Sequence, residues 1–205
     1  LKTEGMDSGK VIFRFHPLRL DLSNIPAETD TDATPVRDVL VWGDILPYKG
    51  VGEFLSKEAV INSGLRISVV GKCKDGALAS RIAESVARFP EGTAEFRNER
   101  LGFDEIASLV RRSRYVLFPY LPGGISSSGV LMDTIAMGGT PVGPDTGAFH
   151  DLAGRNLCMV YHDDAEMLDI LKSGRTTDPA EAREFLYSNS WPAFVSFLHD
   201  SISAS

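Results

Sequence analysis

The chain has 205 residues, of which 43% are hydrophobic and 24% charged, the balance of an ordinary globular protein that buries a core of its own. Its formal net charge of −7 argues against nonspecific binding to nucleic acid. The sequence contains no apolar run near the roughly 20 residues that a membrane span needs. Two cysteines form neither a disulfide framework nor a metal-ligand pattern, so we expect a reduced, cytoplasmic protein.

Residues 1–37 are predicted to form an entry or linker segment. A short strand is predicted over residues 11–15 (VIFRF), closed by His16 and Pro17. Residues 23–35 (SNIPAETDTDATP) are rich in proline, aspartate and threonine and poor in large apolar side chains. Such a composition is typical of a surface loop.

From residue 38 onward, apolar runs typical of buried strands alternate with helical patterns. Strands are predicted over residues 38–42, 66–70, 93–96, 115–119, 140–142 and 157–161. Helices are predicted after residue 50, from Asp75, from Asp104, after the loop that starts at residue 126, from Asp163, and over residues 178–187 and 192–202. This alternation predicts right-handed βαβ units. We expect an α/β fold: a Rossmann-like, doubly wound parallel sheet of about six strands with helices on both faces.

Ligands of such sheets bind at the carboxyl ends of the strands, and the loop after the first core strand has suitable chemistry. Residues 43–50 (GDILPYKG) begin and end with glycine, which lets the backbone approach a ligand closely. Lys49 lies at the start of the next helix, where its ammonium and the free N–H groups could hold a diphosphate together. An ordinary turn with a solvated lysine is the alternative interpretation.

A second loop, residues 122–129 (PGGISSSG), lies between a predicted strand and a predicted helix. Its three hydroxyls and flanking glycines suit an anion. It lacks the Gly-Lys-Ser/Thr ending of a Walker A loop, and no Gly-x-Gly-x-x-Gly follows the first strand. A flexible, capped loop is the alternative. The third loop, residues 143–148 (GPDTGA), indicates by itself only a turn.

Taken together, these loops resemble the C-terminal donor domain of retaining GT-B glycosyltransferases, most closely family GT4. Residues 43–50 resemble the family's Gly-Arg-Leu…Lys-Gly stretch, and residues 126–141 resemble its Glu-Gly-Phe-Gly…Glu-Ala…Gly-Lys-Pro stretch. The matching elements occur in the family's order between about residues 39 and 170. The resemblance implies a nucleotide-sugar-binding domain at residues 38–175. It also implies C-terminal helices at residues 176–205 that pack back toward an N-terminal domain missing from this chain.

The activity that the resemblance implies is retaining, metal-independent transfer from a nucleoside-diphosphate sugar to a sugar or lipid-linked acceptor in polysaccharide biosynthesis. No cofactor is expected besides the donor substrate. Acceptor-side catalytic residues are expected in the missing domain, so this half alone is expected to be inactive. The full-length enzyme would be cytoplasmic or peripheral at the inner face of the membrane. A sugar-nucleotide epimerase-like domain and a degenerate, non-catalytic GT-B module are the alternatives.

The resemblance also assigns roles to residues at the strand ends. The residues expected to bind the donor diphosphate are Gly43, Lys49, Lys72, Ser127, Ser128 and Gly129. Those expected at the base or ribose are Arg97, Asn98, Glu99, Arg100, Asp133 and Thr134. The residues expected on the sugar side are Asp44 and Ser126. No metal ligand and no nucleic-acid partner is expected.

Three positions depart from the family pattern. Asp44 stands where arginine is common, so its carboxylate is expected to point away from the diphosphate or to contact a sugar hydroxyl. Ser126 and Thr134 stand where the family has two glutamates. Neither side chain can accept a pair of hydroxyl groups as a carboxylate does, and the identity of the donor is left open.

Overall fold

Six parallel strands form a single sheet in a computed structural model, which describes residue 15 and residues 35–123 and 128–203. The strands are β1 (Arg37–Trp42), β2 (Ile67–Val70), β3 (Ala94–Arg97), β4 (Ser113–Leu117), β5 (Pro141–Pro144) and β6 (Met159–Tyr161). Their spatial order is β3-β2-β1-β4-β5-β6, and every neighbouring pair is parallel. The order reverses between β1 and β4, where doubly wound sheets bind their ligands. The predicted Rossmann-like fold is confirmed.

Helices cover both faces of the sheet. They are α1 (Val51–Ser56), α2 (Glu58–Ile61), α3 (Gly76–Val86), α4 (Phe103–Arg111), α5 (Gly129–Ala136), α6 (Gly147–Ala153), α7 (Asp164–Ser173), α8 (Pro179–Ser188) and α9 (Trp191–Ser203). Apolar side chains of α1, α2, α3 and α7 pack in one core. Those of α4, α5, α6 and α8 pack in the other. The sheet is therefore buried on both sides, as apolar parallel strands require.

Alternation along β1 divides its side chains between the two cores. Val39 and Val41 face α1, α2, α3 and α7, whereas Leu40 and Trp42 face the opposite layer. The indole Nε1 of Trp42 donates a hydrogen bond to Thr134 Oγ1 of α5 at 3.0 Å. That bond satisfies a buried polar group and fixes α5 against the end of β1.

Most predicted helix starts are confirmed. The carboxylates of Asp75 and Asp163 accept hydrogen bonds from the backbone amides of Leu78 and Glu166, at 3.1 and 2.9 Å, as N-caps do. The helix predicted from Asp104 begins one residue earlier, at Phe103.

The single helix predicted after residue 50 is instead two helices. Lys57 separates α1 from α2 with extended backbone angles, φ −72° and ψ 125°. Its ammonium donates to Asp164 Oδ1 at 2.6 Å, at the start of α7. Periodicity of the apolar residues could not detect this break, because the apolar side chains on both sides of it remain buried.

Some sequence predictions lie outside the described residues. Residues 11–14 of the strand predicted over residues 11–15 are among them. Phe15 is described, and its ring packs edge-on against that of Phe185, with 5.2 Å between the ring centroids. Ser126 and Ser127 are outside as well. Within the described part of the chain, no helix combines the length and apolar character needed to cross a membrane.

Candidate functional site

The loop after β1 folds tightly over the end of the sheet. Gly43 has φ +98°, and its amide donates to the Val70 carbonyl at 3.1 Å, which ties the loop to β2. Residues Pro47–Lys49 form a 3-10 turn that ends at Gly50, with φ +63°. A Cβ on Gly50 would lie 2.1 Å from the Pro119 carbonyl oxygen, so only glycine fits there. This close approach directs Lys49 into the protein.

Lys49 is buried, with 5% of its surface exposed. Its Nζ lies 3.3 Å from the position that a Cβ on Gly43 would occupy, and it has no acceptor within hydrogen-bond distance among the described residues. Burial lowers the pKa of the Lys49 ammonium, and the nearby charge of Asp44 opposes that effect. A buried ammonium without a partner is costly, and such groups are concentrated at binding sites.

The N-terminus of α5 lies beside this ammonium. A Cβ on Gly43 would lie 3.1 Å from Val130 Cγ2, so Lys49 and the first turn of α5 both adjoin the same glycine. The backbone amides of residues 131 and 132 donate to the carbonyl of the N-cap, Ser128. The N–H groups of Gly129 and Val130 are left without an acceptor among the described residues, as expected at a helix start. Among the described residues, nothing lies within 4 Å of the position that a Cβ on Gly129 would occupy.

Tyr120, which was not among the predicted site residues, positions this helix start. Its hydroxyl lies 3.1 Å from Ser128 Oγ, and its ring packs edge-on against those of Tyr48 and Phe149, each at 5.7 Å between centroids. Burial raises the pKa of the Tyr120 hydroxyl to about 12, so it remains a neutral hydrogen-bonding group. Its position three residues after β4 is the signal that could have identified it, because functional side chains of this fold follow strand ends.

The predicted base-binding loop, residues 97–100, lies at the same edge of the sheet, and its side chains contact protein groups. The guanidinium of Arg97 pairs with Glu99, with 2.7 Å between Nη2 and Oε1. Asn98 Oδ1 accepts from the Cys73 amide at 2.9 Å, which holds the loop after β2. Arg100 Nη2 donates to both carboxylate oxygens of Asp44 at 3.1 Å. Asp44 therefore contacts a guanidinium, which the sequence did not predict.

The remaining predicted site residues differ in exposure. Lys72 is exposed at the end of β2, and its carbonyl accepts from the Ile45 amide at 2.9 Å. Asp133 is 2% exposed and Thr134 is fully buried. The Thr134 hydroxyl accepts from Trp42 and donates to the Val130 carbonyl at 2.7 Å. Thr134 thus packs inside the protein and presents no surface to a ribose.

A groove of about 450 Å³ opens beside this site, between α1 and α7. Its buried apolar lining includes Phe54, Tyr120 and Met167. Asp145, also in the lining, lies 2.7 Å from His150 Nδ1 and 2.9 Å from His162 Nε2. The sequence indicated only a turn at residues 143–148, because the partners of Asp145 come from α6 and from the loop after β6. Lys49 is not part of this groove.

Comparison with known proteins gives structural matches only. No family model matches the chain, and no curated protein matches it. AviGT4, a glycosyltransferase involved in avilamycin A biosynthesis, superimposes with a TM-score of 0.64 at 17% identity, over 89% of this chain and 54% of that one. The sucrose-phosphate synthase of Thermosynechococcus elongatus gives 0.61 at 17% identity, over 93% and 50%. HepE of Anabaena, solved in complex with UDP-glucose, gives 0.59 at 12% identity, over 82% and 48%.

GT-B glycosyltransferases are thus among the structural neighbours of this chain. The all-parallel sheet, with its 3-2-1-4-5-6 order, is a Rossmann-like α/β sheet. At these sequence identities the likeness establishes the fold. The chain spans about half the length of each of these three proteins.

Proposed function

We propose that this chain is the donor domain of a glycosyltransferase and binds a nucleoside-diphosphate sugar at the ends of its strands. The buried, unpaired Lys49 ammonium beside the start of α5 is the observation that carries the proposal. Together with the N–H groups of Gly129 and Val130, it forms a set of donors around Gly43. A diphosphate fits such a set, because helix N-termini and ammonium groups both favour phosphate oxygens. The UDP-glucose bound to the Anabaena neighbour supports this class of ligand.

The reaction that follows from this site is transfer of the sugar. The departing nucleoside diphosphate gains negative charge as the glycosidic bond breaks, and fixed donors stabilise that charge without reorganising. Lys49 and α5 supply such donors from the chain itself. We infer a GT4-like transfer, with retention and without a metal, to a sugar or lipid-linked acceptor in polysaccharide biosynthesis. The enzyme would work in the cytoplasm or at the inner face of the membrane.

The acceptor would be bound by a second domain, and α9 offers a surface for it. Trp191, Val195, Leu198 and Ile202 recur at intervals of four, three and four residues, which places them on one face of the helix. They are 57%, 59%, 42% and 74% exposed. This chain spans only about half the length of the proteins matched above. We infer that this face of α9 packs against the acceptor-binding domain, which would contribute the catalytic residues on the acceptor side.

We expect the double substitution Val195→Glu and Ile202→Glu to leave the stability of this chain within about 0.5 kcal/mol of the wild type, because exposed side chains contribute little to folding. Urea denaturation measures the change. Phe185→Ala is the control, since Phe185 is fully buried and its truncation should cost about 3–5 kcal/mol. A loss in the double variant as large as that of Phe185→Ala would mean that α9 packs against the chain itself.

Calorimetric titration with UDP, GDP and ADP tests donor binding directly. We expect one of the three diphosphates to bind, and the corresponding monophosphate to bind more weakly because one of the two phosphate groups is missing. Lys49→Ala should weaken diphosphate binding by roughly 1.5–3 kcal/mol, the usual contribution of a charged hydrogen bond. A folded wild-type chain that binds none of the three would contradict the proposal and favour a degenerate, non-catalytic module. Epimerisation of the sugar nucleotide, without transfer, would favour the epimerase-like alternative.

A further inference from the structure

Asp44 and Arg100 form a contact across the end of the sheet that the diphosphate proposal does not require. Asp44 directly follows the glycine beside Lys49, and Arg100 lies in the loop after β3. Because β2 lies between β1 and β3, the pair spans the end of β2. A single guanidinium nitrogen, Nη2, donates to both carboxylate oxygens at 3.1 Å.

This geometry leaves most of the guanidinium available. Arginine has five N–H donors in a planar fork, and the bonds to Asp44 use only Nη2. Nε and Nη1 of Arg100 have no acceptor among the described residues. The side chain is 66% exposed, so a ligand can reach these donors. By contrast, Arg97 at the end of β3 uses both Nε and Nη2 to bind Glu99.

The charge balance at the site also depends on Asp44. Its carboxylate acts on the buried Lys49 ammonium, where it opposes the effect of burial on the pKa, and it binds Arg100. One carboxylate thus interacts with two cations, and the three groups together carry a net charge of +1. A diphosphate bound by Lys49 alone would meet the charge of Asp44 at close range. A second cation held by Asp44 would offset that repulsion.

We propose that Arg100 is a second diphosphate-binding cation of this site and that Asp44 is the residue that positions it. The inference rests on the proposed donor site and adds a ligand contact to it. Arg100 donates to the diphosphate through Nη1, while Asp44 holds Nη2 and thereby sets the orientation of the guanidinium plane. A guanidinium suits this role because one of its nitrogens can hold a carboxylate while another donates a charged hydrogen bond to a phosphate oxygen.

Titration with inorganic pyrophosphate separates this role from contacts with the base. We expect Arg100→Ala to weaken pyrophosphate binding at least tenfold. Arg97→Ala removes the same charge from the end of β3 and should change pyrophosphate binding less than twofold, because pyrophosphate has no base and Arg97 is bound by Glu99. Equal effects of the two substitutions would overturn the role of Arg100.

The positioning role of Asp44 is tested by two substitutions. Asp44→Asn keeps one side-chain oxygen for Arg100 and removes the negative charge, so it should bind pyrophosphate at least as tightly as the wild type. Asp44→Ala removes the charge and the acceptor, and we expect it to bind at least threefold more weakly than Asp44→Asn. Equal or tighter binding by Asp44→Ala would show that Asp44 only repels the ligand, and would overturn its positioning role.

The same titrations distinguish failure of this inference from failure of the donor site. Suppose that the wild type binds pyrophosphate, that Lys49→Ala weakens this binding and that Arg100→Ala does not. The donor site is then supported, and Arg100 is not part of that site. If the folded wild type binds neither pyrophosphate nor any of the three nucleoside diphosphates, both proposals are wrong.

Discussion

Lys49→Met is expected to make the fold more stable while removing most of its affinity for a diphosphate. Only 5% of the Lys49 surface is exposed, and no described residue accepts a hydrogen bond from its ammonium. Methionine has a similar length and needs no such partner. Replacing a buried charge by an apolar side chain of similar volume commonly stabilises a protein, here by on the order of 1 kcal/mol. Loss of the charged contact should weaken diphosphate binding about ten- to a hundredfold.

Two measurements on Lys49→Met test the expected gain in stability and the expected loss of diphosphate affinity. Urea denaturation gives the change in unfolding free energy, and calorimetry gives the affinity for the nucleoside diphosphate that binds the wild type. Lys172→Met is the matched control, because Lys172 is exposed in the last turn of α7. We expect it to change neither quantity appreciably. If Lys49→Met were less stable than the wild type and bound diphosphate normally, Lys49 would be a structural residue.

The stability and the diphosphate affinity of the wild type should depend on pH because Lys49 is buried. Burial holds the pKa of Lys49 below its ordinary value in the folded protein, so the folded state disfavours the charged form. The resulting destabilisation is present while Lys49 is charged. It is lost as pH rises from the folded pKa toward the ordinary value. Over that interval the wild type should approach the stability of Lys49→Met, and its affinity for a diphosphate should fall.

The fold could be predicted from the sequence because the apolar runs alternate with helical patterns along the whole domain. Buried β1 and β2 are the clearest case: their side chains are almost all inaccessible, and a continuous apolar run is what such a strand requires. β3 was a weaker prediction, since it lies at the edge of the sheet and its four residues are only half-buried. Strand ends were predicted with errors of one or two residues, because no side chain marks them.

Less of the candidate site than of the fold could be predicted from the sequence. The burial of Lys49 depends on the close packing of Gly50 against the Pro119 carbonyl, a contact between residues nearly 70 positions apart. The pairing of Asp44 with Arg100 depends equally on the order of β1, β2 and β3. Thr134 was assigned to the ribose from its position in the family pattern. Its hydroxyl instead bonds to Trp42, which only the packing of α5 on β1 determines.

Gly71→Ala should combine a large loss of stability with a loss of diphosphate binding. A Cβ on Gly71 would lie 1.8 Å from the Gly43 carbonyl oxygen and 2.8 Å from the Gly43 carbonyl carbon. These are backbone atoms, so no rotamer change can relieve the clash. The Gly43 amide is also bonded to the Val70 carbonyl, and the Gly71 amide to the Arg97 carbonyl. Overpacking of this kind costs about 3 kcal/mol, which in a domain of this size lowers Tm by about 6–12 °C.

The consequence for binding follows from the position of Gly43. Any shift that makes room for the methyl group moves Gly43 away from β2, and Val130 Cγ2 and Lys49 Nζ lie only 3.1 and 3.3 Å from the position that a Cβ on Gly43 would occupy. We therefore expect weaker diphosphate binding even at a temperature where Gly71→Ala is fully folded. Gly76→Ala is the control, because a Cβ there meets nothing within 4 Å and alanine suits the first turn of α3. Circular dichroism and calorimetry on both variants measure the two effects. If folded Gly71→Ala bound diphosphate as tightly as Gly76→Ala, the position of Gly43 would not govern the site.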